Sequence, residues 1–76
     1  MSWNYRILAH EDGEDMYFQI HEVHYTDDIP HSYSTYGAPI GGESIDAIKL
    51  MLNKMIACIE EPILLAGDKF PEVYER

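Results

Sequence analysis

The sequence predicts an α+β fold: a three-stranded antiparallel β-meander followed by one α-helix packed on one sheet face (β-β-β-α), with a short C-terminal tail. Three observations carry this prediction. Trp3, Tyr5, Ile7 and Ala9 alternate in the manner of a half-buried strand. Turn-forming pairs, Asp12-Gly13 and Asp27-Asp28, separate runs rich in aromatic and β-branched residues. A helical apolar period then begins behind a capping serine and ends at a proline.

Taken in order, strand one spans Trp3 to Ala9 and places its apolar residues on one side. The following "EDGED" holds four carboxylates around one glycine, and Asp12-Gly13 supplies the positive-φ positions of a tight hairpin. The acids sit at a solvated tip; the spacing of a calcium loop is absent. Strand two, "MYFQIHEVHYT", is long enough to pair on both sides and is the expected centre of the sheet. Its alternation slips, since Phe18 and Ile20 share one phase while Val23 and Tyr25 share the other. A one-residue bulge at His21-Glu22 would bring all four to one face.

"DDIP" makes the second turn, where Pro30 interrupts any ladder, and strand three is "HSYSTYG". "GAPIGG" closes the strand and frees the chain to cross over the sheet. The helix runs from Ser44, a good N-cap, to about Glu61. Ile45, Ile48, Leu52, Met55, Ile56 and Ile59 form its expected inner side, and Pro62 stops it. Ile63 to Leu65 are expected to pack or pair and the short C-terminal tail to fold against an edge of the sheet, with the residues from about 66 partly frayed, within a single domain of residues 1–76.

Composition narrows the function classes. Fourteen acidic against five basic residues give a net charge of −9, which repels phosphate backbones and anionic membranes, so neither nucleic acid nor a membrane is an expected partner. The lone Cys58 forms no intrachain disulfide, and no secretory leader or apolar run of membrane-spanning length is present; the expectation is a cytoplasmic chain. A domain this small buries only about 60% of its unfolded surface, which makes association with a second copy or another protein an expectation.

Four features invite a functional reading. "HEVH" departs from the zincin motif, because its second histidine comes one residue early and the segment reads as a strand. The proposed bulge would still gather His21, Glu22 and His24 on the solvent side as candidate metal ligands. Cys58 and the serines lack the neighbours of a catalytic nucleophile. "GAPIGGES" has neither a phosphate-loop lysine nor a G-x-G-x-x-G spacing. The fourth is a contact surface. With one helix covering one face, the opposite face would carry Arg6, Leu8, Tyr17 and Tyr33 as a partly aromatic protein-contact patch.

"WNYRI" at 3–7, "YFQIHEVHY" at 17–25 and "MLNKMIACIEEPIL" at 51–64 resemble a family of small uncharacterised bacterial proteins with a Trp-x-Tyr-Arg and Ile-His-Glu-Val-x-Tyr pattern. That resemblance implies no activity, and it singles out Arg6, His21 and Glu22 as polar positions to test. His24 stands where the pattern has an aromatic residue. More loosely, the order of sheet and helix, with "GESIDAIKLML" at the helix start, is similar to the HicB-type antitoxin core, although the Gly-Cys/Val strand signature is missing and no DNA-binding extension follows the helix. The expected function is a non-enzymatic binding or regulatory module that works through its sheet face or edge, as a homodimer or with another protein, and without a cofactor. The alternative is a small metal-dependent or dimer-interface enzyme using His21, Glu22 and His24.

Overall fold

The computed structural model describes residues 2–75. Strands β1 (Ser2–Asp12), β2 (Asp15–Thr26), β3 (Ile29–Tyr33) and β4 (Leu64–Leu65) form one sheet in the order β3-β2-β1-β4, and helix α1 (Ile45–Cys58) lies between β3 and β4 in the chain. The α+β class is as the sequence predicts. The sheet, however, is mixed and four-stranded: β1–β2 and β2–β3 are antiparallel, whereas β4, built from the apolar residues after Pro62, runs parallel to β1.

Both hairpins are closed by two-residue loops. Asp12 pairs with Asp15, so the first loop is Gly13-Glu14, one residue later than the predicted Asp12-Gly13. Gly13 takes the first loop position at φ 66°, where a side chain would be strained. In the second, Asp27 and Asp28 adopt φ 53° and 65°, the doubly left-handed backbone of a type I′ hairpin. Strand three consequently starts at Ile29 and ends at Tyr33, earlier than "HSYSTYG". Pro30 fits inside it because β3 is an edge strand.

The predicted bulge at His21-Glu22 does not form. The β1–β2 ladder is continuous from Ser2↔Tyr25 to Asp12↔Asp15. The irregularity lies on the β3 side: His24 pairs with Ser32 and Tyr25 with Pro30, which leaves His31 as the extra residue beside the proline. Phe18 and Ile20 therefore do face away from Val23 and Tyr25, and each face of the sheet has its own cover. On one face Tyr5 packs with Met55 and Cys58 of α1, joined by Ile7, Ile20, Ala38 and Met51. On the other, Leu8, Val23 and Leu64 form a second core closed by Tyr25, Tyr33, Ala66 and Phe70. The phase slip in β2 marks a strand covered to different degrees on its two faces: Val23 is buried on one, Ile20 is half-buried on the other, and Phe18 stays exposed.

The tail supplies that second cover. Rather than fraying from residue 66, it folds back: the Leu65 N–H donates to the Glu72 carbonyl (2.8 Å) and the Tyr74 N–H to the Ile63 carbonyl (2.7 Å), with a 3-10 turn at Gly67–Lys69 between them. Ser44 caps α1 as expected, its Oγ accepting from the Ala47 N–H at 3.0 Å. The helix ends at Cys58, ahead of the predicted Glu61, and a further turn leads to Pro62. Its sheet-facing residues are Ile48, Met51, Met55 and Cys58. Ile45, Leu52, Ile56 and Ile59, expected on the inner side, are exposed. Among the described residues no helix is long and apolar enough to cross a membrane.

Candidate functional site

The continuous β1–β2 register disperses the predicted metal trio. His21 lies on the face of the second core, while Glu22 and His24, at neighbouring parities, lie on the helix-side face opposite Tyr5 and Trp3. Among the described residues no three His, Cys, Asp or Glu side chains gather as metal ligands. His21 is almost wholly buried and committed to the fold. Its Nδ1 must donate to the Ser34 carbonyl at 2.9 Å, since a carbonyl only accepts. In the neutral ring Nε2 then carries the lone pair and accepts from His10 Nε2–H, also at 2.9 Å. Burial, above all, holds the His21 pKa below its ordinary value; the nearby His10 adds to this, against the Ser34 and Tyr36 backbone bonds.

The predicted contact patch is covered for the same topological reason. Leu8 is fully buried in the second core, so it presents nothing to a partner. Arg6 is buried as well, donating from Nη1 to Tyr25 Oη (2.8 Å) and from Nη2 to the Pro62 carbonyl (2.7 Å). Its Nε is enclosed and has no hydrogen-bond partner among the described residues. Tyr33 is half-buried, accepts from the Gly67 N–H at 2.8 Å and packs its ring on Phe70. Of the four residues only Tyr17 is exposed, stacked on His10 with ring centroids 4.8 Å apart.

What stays open is an edge of the sheet. The Ala9 carbonyl accepts from the Ala66 N–H at 3.0 Å on the β4 side. Since backbone groups alternate along a strand, the N–H and C=O groups of Tyr5 and Trp3 point to that side too. β4 pairs only with Leu8 and Ala9, and among the described residues no strand continues this pairing to Tyr5 or Trp3. The opposite edge is managed differently: β3 is five residues long and carries Pro30 and a bulge, features that discourage strand addition.

The open edge of β1 looks into a groove. Trp3, Asn4 and Tyr5 line one wall, and Lys54, Ala57, Cys58 and Glu61 of the helix end line the other, enclosing about 380 Å³. A second hollow of about 330 Å³ continues from it past Trp3, Asn4 and Glu61 to Arg6, Tyr25 and Asp28. The Cys58 thiol is pushed up in pKa, first by burial and then by Glu61, against the Arg6 charge, and so remains protonated at neutral pH. Trp3, Tyr5 and Ala57 give the groove its aromatic and apolar surface, and Asn4, Lys54 and Glu61 its polar surface. Three of the charged groups along the two hollows, Glu61, Asp28 and Lys54, are exposed, and the carboxylates outnumber the lysine.

In the sequence Trp3 and Tyr5 stand on the apolar side of a strand, and nothing there sets them with Lys54 and Glu61 around a groove. Whether a strand edge is free depends on how far β4 extends, and a two-residue parallel strand leaves no periodic signal. Comparison with known proteins found no family model, no curated protein and no solved structure that matches the chain.

Proposed function

We propose that the chain is a non-enzymatic binding module that captures an extended segment of another protein by strand addition to β1. The observation that carries this reading is the unpaired edge at Trp3 and Tyr5 opening into a groove beside α1. An extended segment laid there gains main-chain hydrogen bonds from the edge, and alternate side chains reach the Trp3, Tyr5 and Ala57 wall or the charged rim. Glu61 and Asp28 on the rim, together with the net charge of −9, favour a segment carrying lysine or arginine between apolar residues. The hydrogen bonds supply register, and charge supplies selection and encounter rate.

A displayed library of unstructured decapeptides, panned against the chain, tests this. The expected winners alternate apolar and basic residues, and bind Trp3→Val better than Trp3→Pro. Both substitutions lose the indole, but only proline loses the outward N–H, and an edge strand tolerates proline there. Peptides that bind the two variants equally, or whose NMR shifts avoid residues 3–5, would count against strand addition.

A further inference from the structure

The helix carries a second, separate surface. Ile45, Leu52, Ile56 and Ile59 are 80%, 39%, 64% and 56% exposed. Ile45, Leu52 and Ile56 fall on one strip of α1, since 45 and 56 are three turns apart and 52 lies one turn before 56, and Ile59, the C-cap with helical backbone angles, extends it. The strip borders the sheet-facing row Ile48, Met51, Met55 and Cys58 on the flank away from Lys54, Ala57 and Glu61, which line the β1 groove. Its apolar area is on the order of 450 Å², the size of the largest patch on an ordinary monomer. Two such ridges with their flanking residues approach the roughly 1,000 Å² that a specific interface needs.

The polar residues on its outer flank are self-complementary. Lys49 lies on α1 and Glu60 in the turn that continues it, where the Ile59 and Glu60 N–H groups donate to the Ile56 and Ala57 carbonyls; along that continued path the two are about three turns apart and border the ridge on the same side. In a two-fold antiparallel pairing that sets Leu52 beside the partner's Ile56, flanks of the same kind meet and Lys49 arrives within one residue's rise of the partner's Glu60. The operation repeats the contact, giving two ion pairs around one apolar seam. Ile45 reaches to within about one turn of the partner's Ile59. A helix ridge that meets its own copy with apolar on apolar and lysine on glutamate fits a second copy of this chain as occupant.

We infer that the protein forms a two-fold homodimer through the Ile45, Leu52, Ile56 and Ile59 ridge of α1, in an antiparallel register fixed by Lys49 and Glu60 of opposite protomers. The dimer leaves both β1 grooves open and does not depend on what they bind. Repulsion between two copies of charge −9 opposes it, and salt screens that repulsion more than it weakens two surface ion pairs, so association strengthens as ionic strength rises.

Sedimentation equilibrium on the full chain, from 10 µM to 0.5 mM at low and moderate salt, tests the inference. The expected result is a dimer whose dissociation constant rises about 100-fold in Ile56→Glu. Lys49→Glu should raise it about tenfold, and Lys49→Glu combined with Glu60→Lys should return it to within about threefold of the original chain. Circular dichroism and urea melts show whether each variant is folded, and Ile56→Ser provides a milder change at the same position should Ile56→Glu unfold. A chain monomeric at 0.5 mM in both salts would overturn the inference. So would a dimer indifferent to Ile56 substitution, or one that the charge exchange fails to restore.

Discussion

Arg6 Nη2 donates to the carbonyl of Pro62 across 2.7 Å, joining two residues 56 positions apart in the chain. The bond sits where the chain has left α1 and is about to pair with β1 as β4. It therefore helps set the boundary between the covered part of the β1 edge and the open part at Trp3 and Tyr5. The same guanidinium holds Tyr25 Oη, so one planar group ties together β1, the end of β2 and the approach to β4.

A lysine at this position keeps the charge but cannot span both acceptors from one rigid fork. Arg6→Lys is expected to lower the unfolding free energy by about 1–3 kcal/mol, because the ammonium can follow only one of the two partners. Urea denaturation measures this, and a variant as stable as the original chain would show that the two bonds contribute little.

Leu8 distinguishes a contact patch from a second core. Fully buried among Val23 and Leu64, it should cost about 2–5 kcal/mol when replaced by alanine, the range of large-to-small substitutions in packed interiors. Tyr17→Ala, on the exposed rim, should cost far less. Equal and small losses at the two positions, read from denaturation midpoints, would mean that the tail does not close over the sheet.

The buried imidazole of His21 makes stability depend on pH in one direction. Its folded pKa lies below the ordinary value of about 6.5, because burial disfavours the cation and because a proton on Nε2 would point at His10 Nε2–H. Above about pH 6.5 the ring is neutral in both folded and unfolded chains and exacts no penalty. As pH falls below that value the unfolded chain takes up a proton that the folded chain resists, so stability drops until the folded His21 itself titrates. Urea midpoints between pH 8 and 5 should fall in the original chain and flatten in His21→Gln; parallel profiles would remove His21 as the cause.

Much of the fold was legible because local chemistry and tertiary structure agree. The Ser44 cap, the helical segment, the glycine at the first hairpin and the alternation of β1 are short-range signals that the packed chain keeps. The expected bulge and the expected contact patch fail for one reason. With a single covered face, the opposed phases of Phe18/Ile20 and Val23/Tyr25 require a bulge, and Leu8 and Arg6 fall on the surface. The residues that overturn it, Leu64 to Phe70, pack from far along the chain in a Gly- and Pro-broken segment with no period. His21 illustrates the consequence: its neighbours His10 and Ser34 are eleven and thirteen residues away, so "HEVH" offered adjacency in sequence where the fold provides none. The free edge was equally hidden, since it is defined by where pairing stops.

Amide hydrogen exchange in the unliganded chain tests the open edge most directly. The Asn4 and Arg6 N–H groups point toward β2 and should be protected, while those of Trp3 and Tyr5 point into the groove and should exchange much faster, even though the Tyr5 side chain is buried. Protection of Trp3 and Tyr5 equal to that of Asn4 and Arg6 would mean that the edge is already satisfied within the fold, and strand addition at β1 would be contradicted.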